Sequence, residues 1–235
     1  MNPVLNEKSF INAGYNEDTM TVSGVINKSF LLWLILTVGA YLGWTNPQIT
    51  LKLWIPMLIG IVVLCFIIVS NLKTTPWISP IYAFLEGLFL GTVTLLFEKD
   101  YPGIAVNAVF LTICVLFCML AAFKSGKIRA TKKFYRVIGI STLAICLFYL
   151  ADILLSAFGG AGLSIIHSSS PLGIAINIVI VLVAAFNLII DFDIIQRGVA
   201  MKAPKYMEWY GAFALMVTIV WLYMEILRLL SKIRR

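Results

Sequence analysis

Apolar stretches long enough to cross a bilayer follow one another along almost the whole chain. A membrane-spanning helix needs about 20 mostly apolar residues, and about seven windows of the sequence meet that rule. Hydrophobic residues make up 61% of the chain and charged residues 12%, against about 45–50% and about 25% in soluble domains. The windows are 29–44 (with an upstream extension through 22–26 despite Lys28), 53–72, 77–97, 103–123, 134–158, 171–195 and 207–230. The sequence therefore predicts an all-α polytopic membrane protein with seven transmembrane helices.

Basic residues between the fourth and fifth windows predict how the chain is oriented. Lys and Arg are enriched in cytoplasmic loops, and this loop carries Lys124, Lys127, Arg129, Lys132 and Lys133. We therefore expect this loop to be cytoplasmic, and alternation places the N-terminus and the loop 197–205 on the same side. Alternation also places the basic C-terminal residues outside, which conflicts with the rule.

Short connections between the windows predict a simple domain organisation. Residues 1–24 form a polar N-terminal tail in this interpretation, and residues 25–235 form one seven-helix transmembrane bundle. The net charge is +7, but the basic residues are clustered and no basic face interleaved with aromatics is evident. The sequence thus argues against nucleic-acid binding.

Five of the eleven acidic residues fall within or at the edge of the apolar windows. They are Glu86, Asp152, Asp191, Asp193 and Glu225. Ionisable groups in hydrocarbon are costly, so they normally face a bundle interior or a wet cavity and mark a functional route. The C-terminal pair of windows, with Asp191, Asp193, Glu225 and Arg228, is therefore the first place to look for a site.

Asp191 and Asp193 lie two residues apart, so a helix points them to nearly opposite sides. Asp191 shares a face with Ala184 and Asn187, which predicts a small, polar, inward stripe. Asp193 precedes Arg197 by four residues, the spacing of a helical ion pair. We assign Asp191 to the site and Asp193 with Arg197 to a supporting pair.

Glu225 and Glu86 each leave two interpretations open. Glu225 precedes Arg228 by three residues, which favours an internal salt bridge over direct participation in ion movement. Glu86 lies beside a small-xxx-small run, Ala83, Gly87 and Gly91, that lets another helix approach closely. Its carboxyl group is either hydrogen-bonded scaffold or part of the site.

Enzyme chemistry is the least favoured class. The single histidine, His167, has no adjacent carboxylate or nucleophile at a telling spacing, and nucleophile-elbow, zinc-protease and P-loop patterns are absent. Cys114 and Cys118 share a helical face, but no histidine or second cysteine pair accompanies them. We expect no tightly bound cofactor.

Several short motifs resemble the Bax inhibitor-1 family and, more closely, its bacterial Bax inhibitor-1/YccA branch. They are DFDIIQRG at 191–198, Pro-Lys at 204–205, Glu-Trp-Tyr at 208–210, LYMEILRLL at 222–230 and EGLFLG at 86–91. The resemblance implies seven helices, with two three-helix layers around a central C-terminal helix. It also implies a pH-responsive calcium leak, or in some bacterial relatives modulation of a membrane-bound protease, and a place in the bacterial cytoplasmic membrane.

The resemblance further implies a pH sensor of two aspartates, one each on helices six and seven. Asp191 matches the first, whereas Thr218 stands where the second is expected, and threonine does not titrate. At about 1.5 Å per residue, Asp191 and Glu225 lie roughly 20 Å apart in depth, and Glu86 is closer to Asp191. We therefore expect Asp191 and Glu86 to form the acidic site, a weak and transient Ca²⁺ site, with Lys73 as counter-charge.

A cation-permeable protein gated by protonation of Asp191 is thus the leading interpretation, with the lipid bilayer, Ca²⁺ and H⁺ as its partners. The first alternative is an interaction protein that modulates a membrane-bound protease or a stress response without ion flux. The second is a proton-coupled transporter, although no inverted repeat is visible.

Overall fold

The structure is a computed structural model, which describes residues 19–157 and 168–234, and nearly all of these residues are helical. The helices are α1 (Val22–Thr45), α2 (Pro47–Lys52), α3 (Trp54–Ser70), α4 (Thr75–Asp100), α5 (Ile104–Lys124), α6 (Lys132–Ala157), α7 (Pro171–Ala200) and α8 (Met207–Arg234). A 3-10 turn, Leu72–Thr74, joins α3 to α4. The β-pairing within the described ranges is a single bridge between Thr19 and Pro204.

Six of the described helices are long and apolar enough to cross a membrane. These are α1, α4 with its preceding turn, and α5 to α8, whereas α3 is a shorter apolar helix of 17 residues. The predicted all-α membrane class is confirmed. The short helix α2 was not predicted, because its six residues, Pro47–Lys52, fall between two apolar windows.

The first helix begins earlier than the predicted start of the bundle at residue 25. Thr21 caps α1, since its Oγ1 accepts a hydrogen bond from the Gly24 backbone N–H at 3.0 Å. The helix therefore starts at Val22, and the upstream extension of the first window is confirmed. Residues 1–18 of the predicted tail, and His167, lie outside the described residues.

Contacts divide the chain into two compact units, which are described separately. The α1–α4 unit contains described residues 19–105 and 193–217, and the α5–α6 unit contains described residues 106–157, 168–192 and 218–234.

Within the α1–α4 unit, α1 lies directly against the glycines of α4. A Cβ atom added to Gly87 would collide with the carbonyl oxygen of Leu36, and one added to Gly91 would collide with that of Ala40. The close approach predicted from the small-xxx-small run is therefore confirmed. Because the paired residues rise together in number, α1 and α4 run parallel.

α1 contributes a glycine pair of its own, which the sequence analysis missed. A Cβ on Gly39 would meet the carbonyl oxygen of Phe84, and one on Gly43 would meet that of Leu88. The two helices thus interlock through backbone against backbone, the arrangement that small residues permit between membrane helices. Thr92 of α4 adds a hydrogen bond to the Gly43 carbonyl oxygen at 3.1 Å.

Candidate functional site

Asp191 lies on α7 with its side chain completely buried, and Asn187 lies one turn before it, also buried. The Asn187 amide Nδ2 donates to Thr142 Oγ1 and to the Val183 carbonyl oxygen, both at 2.9 Å. The amide orientation is therefore fixed, and Asn187 Oδ1 has no hydrogen-bond partner among the described atoms. Thr218, on the α8 portion of the same unit, is buried as well.

Glu86 lies on α4 in the α1–α4 unit, half-buried, and accepts a hydrogen bond from the hydroxyl of Tyr82 one turn earlier. The Tyr82 ring packs edge-on against Phe213 with centroids 4.8 Å apart. Lys73 is exposed in the 3-10 turn before α4. Because Glu86 and Asp191 belong to different units, their pairing, and the counter-charge role of Lys73, stay predictions.

Asp193 and Arg197 form an ion pair at the C-terminal end of α7. Arg197 Nε lies 2.8 Å from Asp193 Oδ2, and the two side chains are 44% and 19% exposed. An exposed pair at this helical spacing contributes only a few tenths of a kcal/mol. Asp193 therefore forms a weakly stabilising ion pair at the C-terminal end of α7.

Glu225 lies at the centre of a buried polar cluster, larger than the single ion pair expected from sequence. The Tyr149 hydroxyl donates to its carboxylate, 2.9 Å from each oxygen. Asn177 Nδ2 donates to Oε2 at 3.2 Å, and both Trp221 Nε1 and an Arg228 guanidinium nitrogen donate to Oε1 at 3.2 Å. We refer to these five residues as the Glu225 cluster; its members come from α6, α7 and α8.

Two features distinguish the Glu225 cluster from a salt bridge in which both partners are buried and every polar atom is hydrogen-bonded. Arg228 also lies over the ring of Tyr149, 4.9 Å from its centroid, and its side chain is 36% exposed. Asn177 repeats the arrangement of Asn187, since its nitrogen is committed while its Oδ1 is buried and has no hydrogen-bond partner among the described atoms.

A second buried glutamate, Glu208, was missed by the sequence analysis. Its carboxylate accepts hydrogen bonds from the backbone N–H and the hydroxyl of Thr21, each at 2.9 Å, and forms an ion pair with Lys28. Gly24 makes the room, because a Cβ there would collide with this carboxylate. The signal was Lys28 itself, since a lysine within an apolar segment requires a counter-charge.

Metal ligation by clustered acidic, cysteine or histidine side chains is not found in the described ranges, where no group of three or more of these residues could hold an ion. Within the α5–α6 unit, α7 and α8 instead carry oxygen atoms of amides, hydroxyls and single carboxylates. Such oxygens suit weak and transient binding of a hard cation.

Six helices able to cross a bilayer, together with carboxylates buried on three of them, define an integral membrane protein. The family model for Bax inhibitor 1 like proteins matches residues 2–235. The chain therefore belongs to the Bax inhibitor-1 family, and the family predicted from the short motifs is confirmed. No curated protein and no solved structure matches the chain.

Proposed function

We propose that the protein is a cation-permeable membrane protein whose calcium flux is gated by protonation of Asp191. The observation that carries this proposal is the complete burial of Asp191 on α7, a helix long and apolar enough to cross the membrane. A carboxylate in such a position is costly and normally marks an ion or proton route. Family membership adds support, because Asp191 lies at the first sensor position implied by the resemblance.

The gating step follows from the chemistry of the carboxyl group. When ionised, Asp191 attracts a cation or a basic group, and protonation removes that attraction. A proton can therefore shift the balance between closed and open forms by the difference in its affinity for them. Thr218 does not titrate, so the step uses Asp191 without a second aspartate on α8.

Seven membrane crossings are part of the proposal, and the parallel arrangement of α1 and α4 supports them. Two successive spans that run parallel require the chain between them to return across the membrane. The helix available for that return is α3, whose 17 residues extend about 26 Å, near the hydrocarbon thickness of about 30 Å.

A second contact within the α1–α4 unit supports the same count. The Met20 backbone N–H donates to the Ala203 carbonyl oxygen at 2.7 Å, so the start of α1 and the start of α8 lie on one side of the membrane. An even number of crossings must separate them, and α3 brings that number from five to six. With seven crossings, alternation puts the exposed basic loop between α5 and α6 on the same side, so we infer that this side is cytoplasmic.

Calcium uptake by liposomes containing the purified protein tests the proposal. We expect uptake to be greater at about pH 6 than at about pH 8, since protonation favours the open form. Asp191→Asn mimics the protonated carboxyl group and is expected to give uptake that no longer depends on pH. Asp193→Asn, two residues away in the exposed ion pair, is the matched control and should retain the wild-type profile.

Two results would redirect the proposal. Folded wild-type protein that passes no calcium at any pH would favour the interaction protein that modulates a protease. If Glu86→Gln leaves uptake and its pH dependence unchanged while Asp191→Asn abolishes that dependence, the predicted pairing of the two carboxyl groups is wrong.

A further inference from the structure

Two asparagines on α7 bury an amide oxygen that has no hydrogen-bond partner. Asn177 is 2% exposed and Asn187 is 1% exposed, and in each the side-chain nitrogen is already donating while Oδ1 meets no donor among the described atoms. A buried polar atom without a partner costs about 1–3 kcal/mol. Repetition of the same costly arrangement on one helix indicates a role for these oxygens.

The two asparagines lie on the polar side of α7 that also carries Asp191. Residues 177, 184 and 191 recur every seven positions, about two helical turns, so they fall on one side of the helix. Ala184 in the middle is fully buried and keeps this side narrow. Asn177 and Asp191 are 14 residues apart in the sequence, which is about 21 Å along the axis.

Asn177 carries one of these orphan amide oxygens, and its nitrogen donates to a carboxylate that also accepts from a phenolic hydroxyl. Asn177 Nδ2 is 3.2 Å from Glu225 Oε2, and the Tyr149 hydroxyl is 2.9 Å from both carboxylate oxygens. Hard cations such as Ca²⁺ select carboxylate, amide and hydroxyl oxygens. The three side chains therefore supply the right ligand atoms for such an ion within one hydrogen-bonded group.

Arg228 provides the positive charge that Glu225 attracts in the present structure. Its guanidinium group lies 3.2 Å from Glu225 Oε1 and over the Tyr149 ring. The Arg228 side chain is 36% exposed, against 1% for Glu225, so it is the partner of the carboxylate that a cation can displace outward. A diffusing cation and this tethered cation would then compete for one carboxylate.

We infer that Glu225, Asn177 and Tyr149 form a second cation-binding station about 21 Å along α7 from Asp191, and that Arg228 competes with the ion for it. This inference rests on the proposed cation flux for its physiological meaning. A station with one carboxylate binds weakly, which suits an ion that has to leave again. The ligand class is a hard, oxygen-seeking cation.

A purely structural ion pair and a competed cation station give opposite signs for two substitutions. If the pair only stabilises the fold, removing either partner acts in the same direction. If Arg228 competes with the ion, Glu225→Gln weakens cation binding while Arg228→Gln strengthens it. Asn177→Leu keeps the branched shape of the side chain and removes both amide atoms, so it should follow Glu225→Gln.

Terbium luminescence in the purified full-length protein is the measurement, because Trp221 donates directly to Glu225 and can sensitise a Tb³⁺ ion bound there. We expect Glu225→Gln to raise the half-saturating Tb³⁺ concentration by about tenfold or more, the effect of losing one charged ligand. Arg228→Gln should lower it by about two- to fivefold, as for loss of a partly exposed ion pair. With excitation selective for tryptophan, Trp221→Phe should strongly reduce the luminescence, which places the ion beside Trp221.

Arg129→Gln, an exposed arginine in the loop before α6, is the charge-matched control and should bind Tb³⁺ as the wild type does. The inference is overturned if the wild type shows no sensitised luminescence, or if Glu225→Gln and Asn177→Leu both bind with wild-type affinity. It is also overturned if Arg228→Gln weakens binding in a variant that melts at the wild-type temperature.

The same titration separates this inference from the proposed function. Tb³⁺ binding that is lost in Glu225→Gln but retained in Asp191→Asn supports the station, even if liposomes show no calcium uptake and the flux proposal fails. Conversely, pH-dependent uptake that Asp191→Asn alters supports the flux, and Tb³⁺ binding that Glu225→Gln leaves at the wild-type affinity rejects the station whatever the uptake result.

Discussion

Glu208 and Glu225 are both buried carboxylates on α8, yet their surroundings differ in kind. Glu208 belongs to the α1–α4 unit and Glu225 to the α5–α6 unit. Glu208 accepts hydrogen bonds from Thr21, the residue that caps α1, and pairs with Lys28 of α1. Glu225 instead accepts from Asn177, whose own amide oxygen has no partner among the described atoms, and from an arginine that is 36% exposed.

The two carboxylates differ in how completely their neighbours are paired. The Glu208 carboxylate contacts residues 187 and 180 positions away in the sequence, so it fastens α1 to the first turn of α8. Around Glu225 one amide oxygen has no partner among the described atoms, and the arginine is 36% exposed. Burial alone is the same at both sites and does not separate them.

The largest effect is expected at the glycines that let α1 pack closely against α4. Gly91→Ala places a Cβ atom against the Ala40 backbone, and overpacking of this kind costs about 1–3 kcal/mol or more. We expect a sharp loss of folded protein by size-exclusion chromatography in detergent. Gly60→Ala on α3 is the matched control, since its added Cβ would meet only Leu85 at 3.9 Å; equal losses in both variants would contradict the close-packing argument.

The second prediction compares the two glutamates directly. Glu208→Gln places an amide N–H₂ against the Lys28 ammonium group and the Thr21 backbone N–H, which can only donate, whereas the new amide of Glu225→Gln can donate to Asn177 Oδ1 once the Asn177 amide rotates. We therefore expect the melting temperature to fall further in Glu208→Gln, by an amount corresponding to about 1–3 kcal/mol. A larger fall in Glu225→Gln would show that the Glu225 cluster is the more important structural contact.

The smallest effect is expected at the exposed ion pair on α7. Asp193→Asn removes a pair whose arginine is 44% exposed, and such a pair contributes about 0.3–0.5 kcal/mol. Its melting temperature should stay close to the wild-type value, and the remaining difference should shrink as salt is added. A fall as large as that in Glu208→Gln would mean that the degree of exposure does not set the cost.

Local properties of the sequence predicted the helices well. Apolar length located six helices that can cross a membrane and the shorter α3, and the small-xxx-small run at Ala83 located the close contact on α4. The same reasoning missed Gly39 and Gly43, although they have the same spacing, because a glycine pair by itself does not reveal which helix approaches it.

Hydropathy, motif and helical period are properties of neighbouring residues, and they were enough to predict the membrane class, the family and the polar side of α7 that carries Asp191. Which charges meet depends instead on how the helices pack. Lys28 pairs with Glu208, 180 positions away in the sequence, and Glu225 accepts a hydrogen bond from Tyr149, 76 positions away. No local pattern encodes such contacts, since they depend on which helices the packed chain brings together.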